Sequence, residues 1–362
     1  MQYQDFSDEI SILLPFKEGF SDKNFGSVSL YVKQINEHSK FLKNIKIYSH
    51  IRYQPFDKFN VKHLPKSISH IFFGKNHGHT KSFIKSLNSK KEPKIIEVHN
   101  RPKSIFQISH FLPKSKKFLF YHNDPLSFKE YSTLNSRKEL INICDKICFV
   151  SEYLKERFLK DLSLPHTNHS KLQVIYNGIE PRIQNSNLPK KQNIVFIGEL
   201  TENKGFNFFL EAVEDICNDF KGWTADIYGK SKTFNHSFIK NPNIHYHGYL
   251  PNDKIIKELE KSSICVVPSV WNEPFGRVLL ESINAGVATI TSINGGLKEI
   301  ASHFKVIKIE NIEKKTIYNA LKKLIMSENE IIYYSNNKVS SSPFALKKIS
   351  DKLDSLRKVS IE

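Results

Sequence analysis

The chain has 362 residues, 39% of them hydrophobic, with 54 Lys+Arg against 37 Asp+Glu for a net charge of +17. That length is too great for one ordinary core and comfortable for two. No run approaches the ~20 apolar residues of a membrane span. From its acidic, polar start MQYQDFSDEI no secretory signal is expected, and four cysteines are too few for a disulfide framework at this length. The expected location is the cytoplasm, at most peripheral on a membrane.

The charge is uneven. Residues 1–190 hold 31 Lys+Arg against 17 Asp+Glu, whereas residues 191–362 hold 23 against 20. The excess in the first half suggests an anionic partner there. An AT-rich genome, which inflates lysine and asparagine, is the bland alternative.

In chain order, Ile10 to Pro15 reads as a first strand, followed by a loop with Gly19 and Gly26 and a helical pattern at Val28, Tyr31, Val32 and Ile35. Strand, glycine loop and helix open a Rossmann-like unit. Ile45–Tyr48 and His70–Phe73 look like short strands, and residues 75–95, rich in Lys, His, Asn and Ser, read as exposed. Two similar units follow, IIEVHNRP (Ile95–Pro102) and FLFYHNDP (Phe118–Pro125), each a strand ending in His-Asn. Ends of parallel strands open toward ligands, so His99 and His122 are candidates, with a purely structural role open for either. Cys144 and Cys148 share one face and have no second Cys or His pair at matching spacing, which favours core packing over metal. Ile147–Ser151 is a strand, EYLKERFLKDL a helix, and VIYNGIEP (Val174–Pro181) a strand and turn. IQNSNLPKKQ reads as the linker.

The second half repeats this grammar. Asn193–Ile197 is a strand, Gly198-Glu199-Leu200 a loop, and Lys204-Gly205 opens a helix. TADIYGK and IHYHGYL are strands and DKIIKELEKS a helix. The most informative stretch is Ile264 to Ile300, ICVVPSVWNEPFGRVLLESINAGVATITSINGGLKEI. It reads as a buried strand, a loop, a helix, a second strand (Ala288–Thr291), a Gly-Gly turn and another helix. Glu273 lies in the loop before the first helix and Glu281 about two turns along. Pro274 and Gly276 bring the chain close to a ligand, and the free amides of the helix start favour an anion, most simply a phosphate. Carboxylates beside an anion site suit the hydroxyls of a sugar or ribose. The lysine-rich end, with Phe344, Leu346, Ile349, Leu353 and Leu356, forms an amphipathic helix.

The pattern E-P-F-G-x-x-x-x-E, then A-G, then G-G-x-x-E-I resembles the signature of the family 4 retaining glycosyltransferases. The resemblance is strongest over residues 193–305. It implies an α/β chain of the GT-B fold: two Rossmann-like domains with a donor/acceptor cleft between them. Expected boundaries are 1–184 for an acceptor-side domain, 185–342 for a nucleotide-sugar domain and 343–362 for a helix crossing back to the first. Residue by residue, it makes Glu273 the donor-sugar contact, Glu281 the ribose contact and Lys204 a diphosphate cation, and it puts His122 near the reaction centre. Gly198, the amides near Phe275 and Gly276, Arg277, the backbone at Tyr249 and Leu250, and the loop at Gly26 complete the expected donor site. His99, Asn100 and Arg101 are either loop-structuring or acceptor-side groups. Glu199 stands where the family has arginine, a departure that implies another diphosphate partner, such as Arg277 or the helix amides, an altered donor choice, or weak activity.

The implied function is transfer of a sugar, with retention, from a nucleotide diphosphate sugar (UDP-sugar first) to a hydroxyl of a cell-envelope glycan such as lipopolysaccharide core. No cofactor and, without an Asp-x-Asp motif, no metal are expected. Expected partners are the nucleotide sugar, a glycan or glycolipid acceptor and an anionic membrane surface, with no nucleic acid. The alternatives are an epimerase or hydrolase of the same fold and a non-catalytic sugar-nucleotide binder. A nucleic-acid binder would explain the charge but has no recognised motif.

Overall fold

The computed structural model describes residues 10–50, 52–65, 74–87, 92–163, 165, 170–182, 190–231 and 239–362. The chain divides into two compact units, one of residues 1–178 and 346–362, the other of residues 179–345.

The first unit is built on a seven-stranded sheet. Its strands are β1 (Ile10–Leu13), β4 (Ile45–Ser49), β5 (Asn60–His63), β6 (Ile95–His99), β7 (Lys116–Tyr121), β8 (Lys146–Phe149) and β9 (Leu172–Val174) in the order β5-β4-β1-β6-β7-β8-β9. All neighbours run parallel, with Ile10 of β1 facing both Ile45 and Ile95. β1 and β6 are buried along their whole length, as the continuous apolar runs require when helices cover both faces. A small hairpin, β2 (Phe20–Ser21) with β3 (Asn24–Phe25), occupies the first glycine loop. Helix α1 (Ser27–Glu37) buries Val28, Tyr31, Val32 and Ile35, the stripe expected from the sequence.

Two readings of this unit change. Residues 75–86 are not an exposed run but a helix, α2 (Lys75–Ser86), that buries Gly78, His79, Thr80, Ser82 and Phe83. Its inner face is mostly polar and small, so it carried no apolar stripe. His79 Nε2 instead bonds the Leu14 carbonyl at 3.0 Å and Thr80 Oγ1 meets Ser104 Oγ at 2.7 Å. β5, with one partly exposed face, was also missed. The expected strand at 70–73 and residues 183–189 of the expected linker lie outside the described residues. The remaining helices are α3 (Pro102–Phe111), α4 (Leu134–Ile143) and α5 (Glu152–Leu159).

The second unit carries β10 (Lys191–Ile197), β11 (Thr224–Tyr228), β12 (Ile244–Gly248), β13 (Ser262–Val267), β14 (Ala288–Ser292) and β15 (Ile307–Ile309), all parallel, in the order β12-β11-β10-β13-β14-β15. Helix α6 (Phe206–Asp219) seats Phe206, Phe209, Val213 and Ile216 in the core with Phe196, Val266 and Ile290. Helices α7 (Asn252–Lys261), α8 (Arg277–Asn284), α9 (Leu297–His303), α10 (Lys314–Ile325) and α11 (Glu328–Ser335) complete it.

The last helix, α12 (Leu346–Ile361), belongs to the first unit. Ile349 and Leu353 join its core. Arg357, 0% exposed, makes a bidentate pair with Glu97 of β6: Nε donates to Oε1 at 2.7 Å and Nη2 to Oε2 at 2.9 Å. Nη1 donates to Asp354 and to Ser39 Oγ, each at 3.2 Å. All four cysteines are buried and free.

Candidate active site

The loop after β13 holds the acids of the second unit. Gly205 (φ +67°) closes the short 3₁₀ turn Glu202–Lys204, and a Cβ there would lie 2.0 Å from the Pro268 carbonyl oxygen. Only glycine permits both that conformation and that approach. The turn and the loop are joined further by the amides of Val270 and Trp271, which donate to the Asn203 carbonyl at 2.9 and 3.2 Å. Lys204 Nζ consequently reaches Glu273 Oε1 at 2.6 Å, and Ser269 Oγ donates to the same oxygen at 2.6 Å. Lys204 Nζ also lies 5.3 Å from the ring centre of Trp271, an indole left 43% exposed.

The Gly-Gly turn clamps the other side. Gly295 (φ +63°) would place a Cβ 2.4 Å from the Glu273 carbonyl oxygen, and the Gly296 amide donates to that oxygen at 2.7 Å. Ser292 Oγ and Asn294 Nδ2 both donate to the Ser269 carbonyl, at 2.8 and 2.9 Å. Glu273 is thus 9% exposed and rigidly held at the head of α8, which starts after Gly276 (φ +114°). Glu281 stands one turn into α8 and is 5% exposed; its Oε1 accepts from Asn252 Nδ2 at 3.0 Å and from Arg277 Nη2 at 3.1 Å. Phe275 is buried against Phe344, so only its backbone is available at the loop.

Of the other expected donor residues, Gly198 follows β10 and its amide donates to the Tyr228 carbonyl. Its carbonyl abuts Gly229, where a Cβ would come to 1.7 Å. Glu199 is exposed. Tyr249 is 59% exposed beneath Lys230 Nζ (4.1 Å to the ring centre), and Leu250 is half-buried. Sequence reasoning missed Ser269 and Asn252, which orient the two carboxylates. Ser269 sat unread in the quoted P-S; Asn252 carried no local signal.

In the first unit, β6 and β7 end side by side and bring His99 and His122 together, His99 Nδ1 lying 2.9 Å from His122 Nε2. Burial holds His122 down at about 3; burial, His122 and the Arg357 guanidinium hold His99 well below the ordinary imidazole value. Both are neutral at physiological pH. Of the two roles expected for His99 and Asn100, loop-structuring or acceptor contact, their surroundings fit the first. His99 is 1% exposed, stacked on Phe120 behind His122. Asn100 (φ +53°) turns its Oδ1 to the amides of His122 and Asn123, at 2.8 and 3.3 Å, so it shapes the His122 loop. Arg101 keeps a partly exposed guanidinium that donates to Asn76 Oδ1 and the Asn100 carbonyl. Gly26 leads into α1, but the amide and hydroxyl of Ser29 already bind the Glu18 carboxylate, at 3.3 and 2.8 Å. A Cβ on Gly26 would strike that carboxylate at 2.4 Å. The α1 start therefore carries an anion from the chain itself rather than an open phosphate cradle.

The second unit so presents a carboxylate aimed by an ammonium and a hydroxyl at the start of α8, chemistry that suits a polyhydroxylated, anionic ligand. Residues 179–338 match the family model for glycosyl transferases group 1. The chain carries a group 1 glycosyltransferase domain. Over 178 residues it is 28% identical to an uncharacterized glycosyltransferase, MJ1607, of Methanocaldococcus jannaschii, covering 44% of this chain and 45% of that protein. The chain spans about half the length of the curated relatives it matches. Among solved structures, Anabaena HepE in complex with UDP and glucose superposes with a TM-score of 0.71 at 13% identity, covering 97% and 99% of the two chains. WaaG, a glycosyltransferase involved in lipopolysaccharide biosynthesis, gives 0.67 at 16% identity over 96% and 99%. The glycosyltransferase domain and the preceding parallel-sheet unit thus have the GT-B class of fold. Among the described residues no helix is long and apolar enough to cross a membrane.

Proposed function

We propose that the protein is a family 4 retaining glycosyltransferase that moves a sugar from a nucleotide diphosphate sugar, UDP-sugar first, to a hydroxyl of a cell-envelope glycan such as lipopolysaccharide core. The observation that carries this reading is the Glu273 carboxylate held at the head of α8 by Lys204 and Ser269. UDP and glucose in the complex of similar fold, and lipopolysaccharide biosynthesis as the role of another, support the choice of donor and acceptor.

In this reading Glu273 accepts a hydrogen bond from the donor sugar and Glu281 from the ribose. Lys204, Arg277 and the first amides of α8 offset the charge that develops on the departing diphosphate. The bond from the anomeric carbon to the phosphate oxygen breaks while the acceptor oxygen bonds the same face. The acceptor proton passes to the departing phosphate, so no carboxylate nucleophile and no metal are invoked. His122 contacts the sugar, and the backbone at Tyr249 and Leu250 receives the base.

The test is a thermal-shift panel of UDP, GDP, ADP and CMP with their common sugars, since a ligand that binds only the native state stabilises it. It is followed by transfer assays of wild type and Glu273→Gln with excess chelator. Stabilisation by one nucleotide diphosphate, transfer that ignores chelator and its near-abolition in Glu273→Gln are expected. Near-normal turnover in the variant would overturn the role of Glu273. The exposed Glu199 where the family has arginine favours one second reading, a binder without turnover; donor-induced stabilisation with no transfer or hydrolysis would select it.

A further inference from the structure

The histidine pair has four ring nitrogens and one short contact, and proton counting orders them. Two neutral imidazoles joined Nδ1 to Nε2 share one proton in that contact. If it belonged to His122 Nε2, His99 Nδ1 would accept it and His99 Nε2 would carry the other hydrogen. That Nε2 is buried and has no hydrogen-bond partner. Orphaned buried N–H donors are rarer in folded proteins than under-used acceptors. The proton therefore belongs to His99 Nδ1, leaving His99 Nε2 bare. His122 Nε2 then accepts, which places the second hydrogen on His122 Nδ1. His122 is also the more exposed member, at 9% against 1%.

We infer that His99 is a positioning residue that fixes His122 as a neutral hydrogen-bond donor through Nδ1. The surroundings hold this state. Tyr31 of α1 packs edge-on against His122 at 4.8 Å between ring centres and against His99 at 6.1 Å. Phe120 of β7 stacks on His99 at 4.5 Å. The charged groups acting on the cluster are Arg357 of α12 and Glu97 of β6, paired to each other, and the nearby Cys148 of β8 is a buried neutral thiol. The cation of that pair opposes an imidazolium at His99. A donor of fixed sense suits an oxygen of a bound sugar and cannot serve as a general base. This part rests on the proposed role of His122.

The test combines a spectrum that does not depend on activity with kinetics. In protein labelled with ¹⁵N histidine, the ring resonances of His122 should report a protonated Nδ1 and a bare Nε2. His99→Leu should release Nε2 and let both tautomers populate. His99→Asn, whose Nδ2 stands where Nδ1 stood, should restore the wild-type pattern. In transfer assays His99→Leu should lower kcat about tenfold, the scale of one hydrogen bond lost from the transition state. UDP affinity should stay unchanged, and His99→Asn should recover most of the rate. A protonated Nε2 on wild-type His122, or a Leu variant with the wild-type tautomer and rate, would overturn the inference. If no nucleotide sugar is turned over, the proposed function falls, while the spectrum still decides the tautomer. If the Leu variant fails to fold, the wild-type spectrum and the Asn variant suffice.

Discussion

Replacing Arg357 with methionine removes the cation from the most deeply buried charged cluster described. The side chain of Met fills part of the same volume, so the perturbation is chiefly electrostatic. Four hydrogen bonds go: two to Glu97 at 2.7 and 2.9 Å and one each to Asp354 and Ser39 at 3.2 Å. Asp354 keeps the Ser39 hydroxyl and the Lys40 amide, both at 2.7 Å. Glu97 keeps no cation, at 1% exposure on a strand in the middle of the sheet. Breaking a buried pair by removing one partner costs about 3–5 kcal/mol, because the other charge stays uncompensated. Against a typical total of about 5–15 kcal/mol, that threatens the first unit. At roughly 2–4 °C per kcal/mol for a unit of this size, its transition should fall by about 6–20 °C. Urea unfolding followed by tryptophan-independent circular dichroism and by calorimetry would measure it. Glu97→Gln added to Arg357→Met should recover part of the loss, since it removes the orphan charge. A single variant within about 1 kcal/mol of wild type, or a double variant no better than the single, would refute the account of this cluster.

Gly205→Ala should cost about 2–4 kcal/mol in urea unfolding, since it adds left-handed strain to a 2.0 Å clash with Pro268. Gly74→Ala, with φ +84° and ψ +154° but nothing within 4 Å of the new Cβ, should lose about 1–3 kcal/mol from backbone strain alone. The histidine pair makes stability pH-dependent. The folded values lie below the ordinary imidazole value, that of His122 at about 3, so below pH ~6.5 the unfolded chain binds more protons. Stability should be complete above pH ~6.5 and fall as pH drops, by up to ~1.4 kcal/mol per pH unit for each histidine. Denaturant midpoints at pH 7 and 5 measure this, and His122→Asn should flatten the slope. Lys75, Lys81, Lys85, Lys103, Lys114 and Lys116 are exposed on the first unit. At about 1 kcal/mol each near an anionic surface, they should hold the protein on anionic vesicles at low salt and release it as salt rises. Equal binding to neutral vesicles would leave the charge unexplained.

Parallel strands and their helices were legible because the signals are local: apolar runs for β1, β6 and β13, and a 3.6-residue stripe in α1 and α6. α2 was not, because its buried face is, Phe83 apart, made of glycine, histidine, threonine and serine, with His79 meeting Leu14 just past β1 and Thr80 meeting Ser104 of α3, a fact no window of α2 contains. Lys117 is 6% exposed and its ammonium donates to the Pro113 carbonyl at 2.9 Å, whereas its neighbours Lys114 and Lys116 are exposed; lysine alone says nothing about which face of β7 it takes. The acids of the loop were legible because proline and glycine punctuate them. Which groups hold those acids was not, since Ser269 and Lys204 reach Glu273 only through close backbone approaches at Gly205 and Gly295. His99 was visible as a twin of His122, but only the adjacency of β6 and β7 reveals that one backs the other.

The contact between Lys204 and Glu273 has a consequence for ligand binding. Both side chains are partly buried, at 27% and 12% exposure, and their charges meet at 2.6 Å. On the proposed reading the same ammonium must serve a diphosphate, so an arriving anion competes with Glu273 for it. What the phosphate gains, the carboxylate gives up, and Glu273 is left with Ser269 and room to accept from a sugar hydroxyl. The two variants should then part in sign. Lys204→Met removes the cation and should weaken UDP binding. Glu273→Gln frees the cation and should tighten UDP, which carries no sugar for Glu273 to hold, by about fivefold, corresponding to roughly 1 kcal/mol for a partly exposed pair. In Lys204→Met the further change Glu273→Gln should leave UDP affinity unaltered, because the competition has gone. Calorimetric titration of the four proteins closes the cycle. If Glu273→Gln weakens UDP as much as Lys204→Met does, the two residues act together on the nucleotide, and the exchange of partners is wrong.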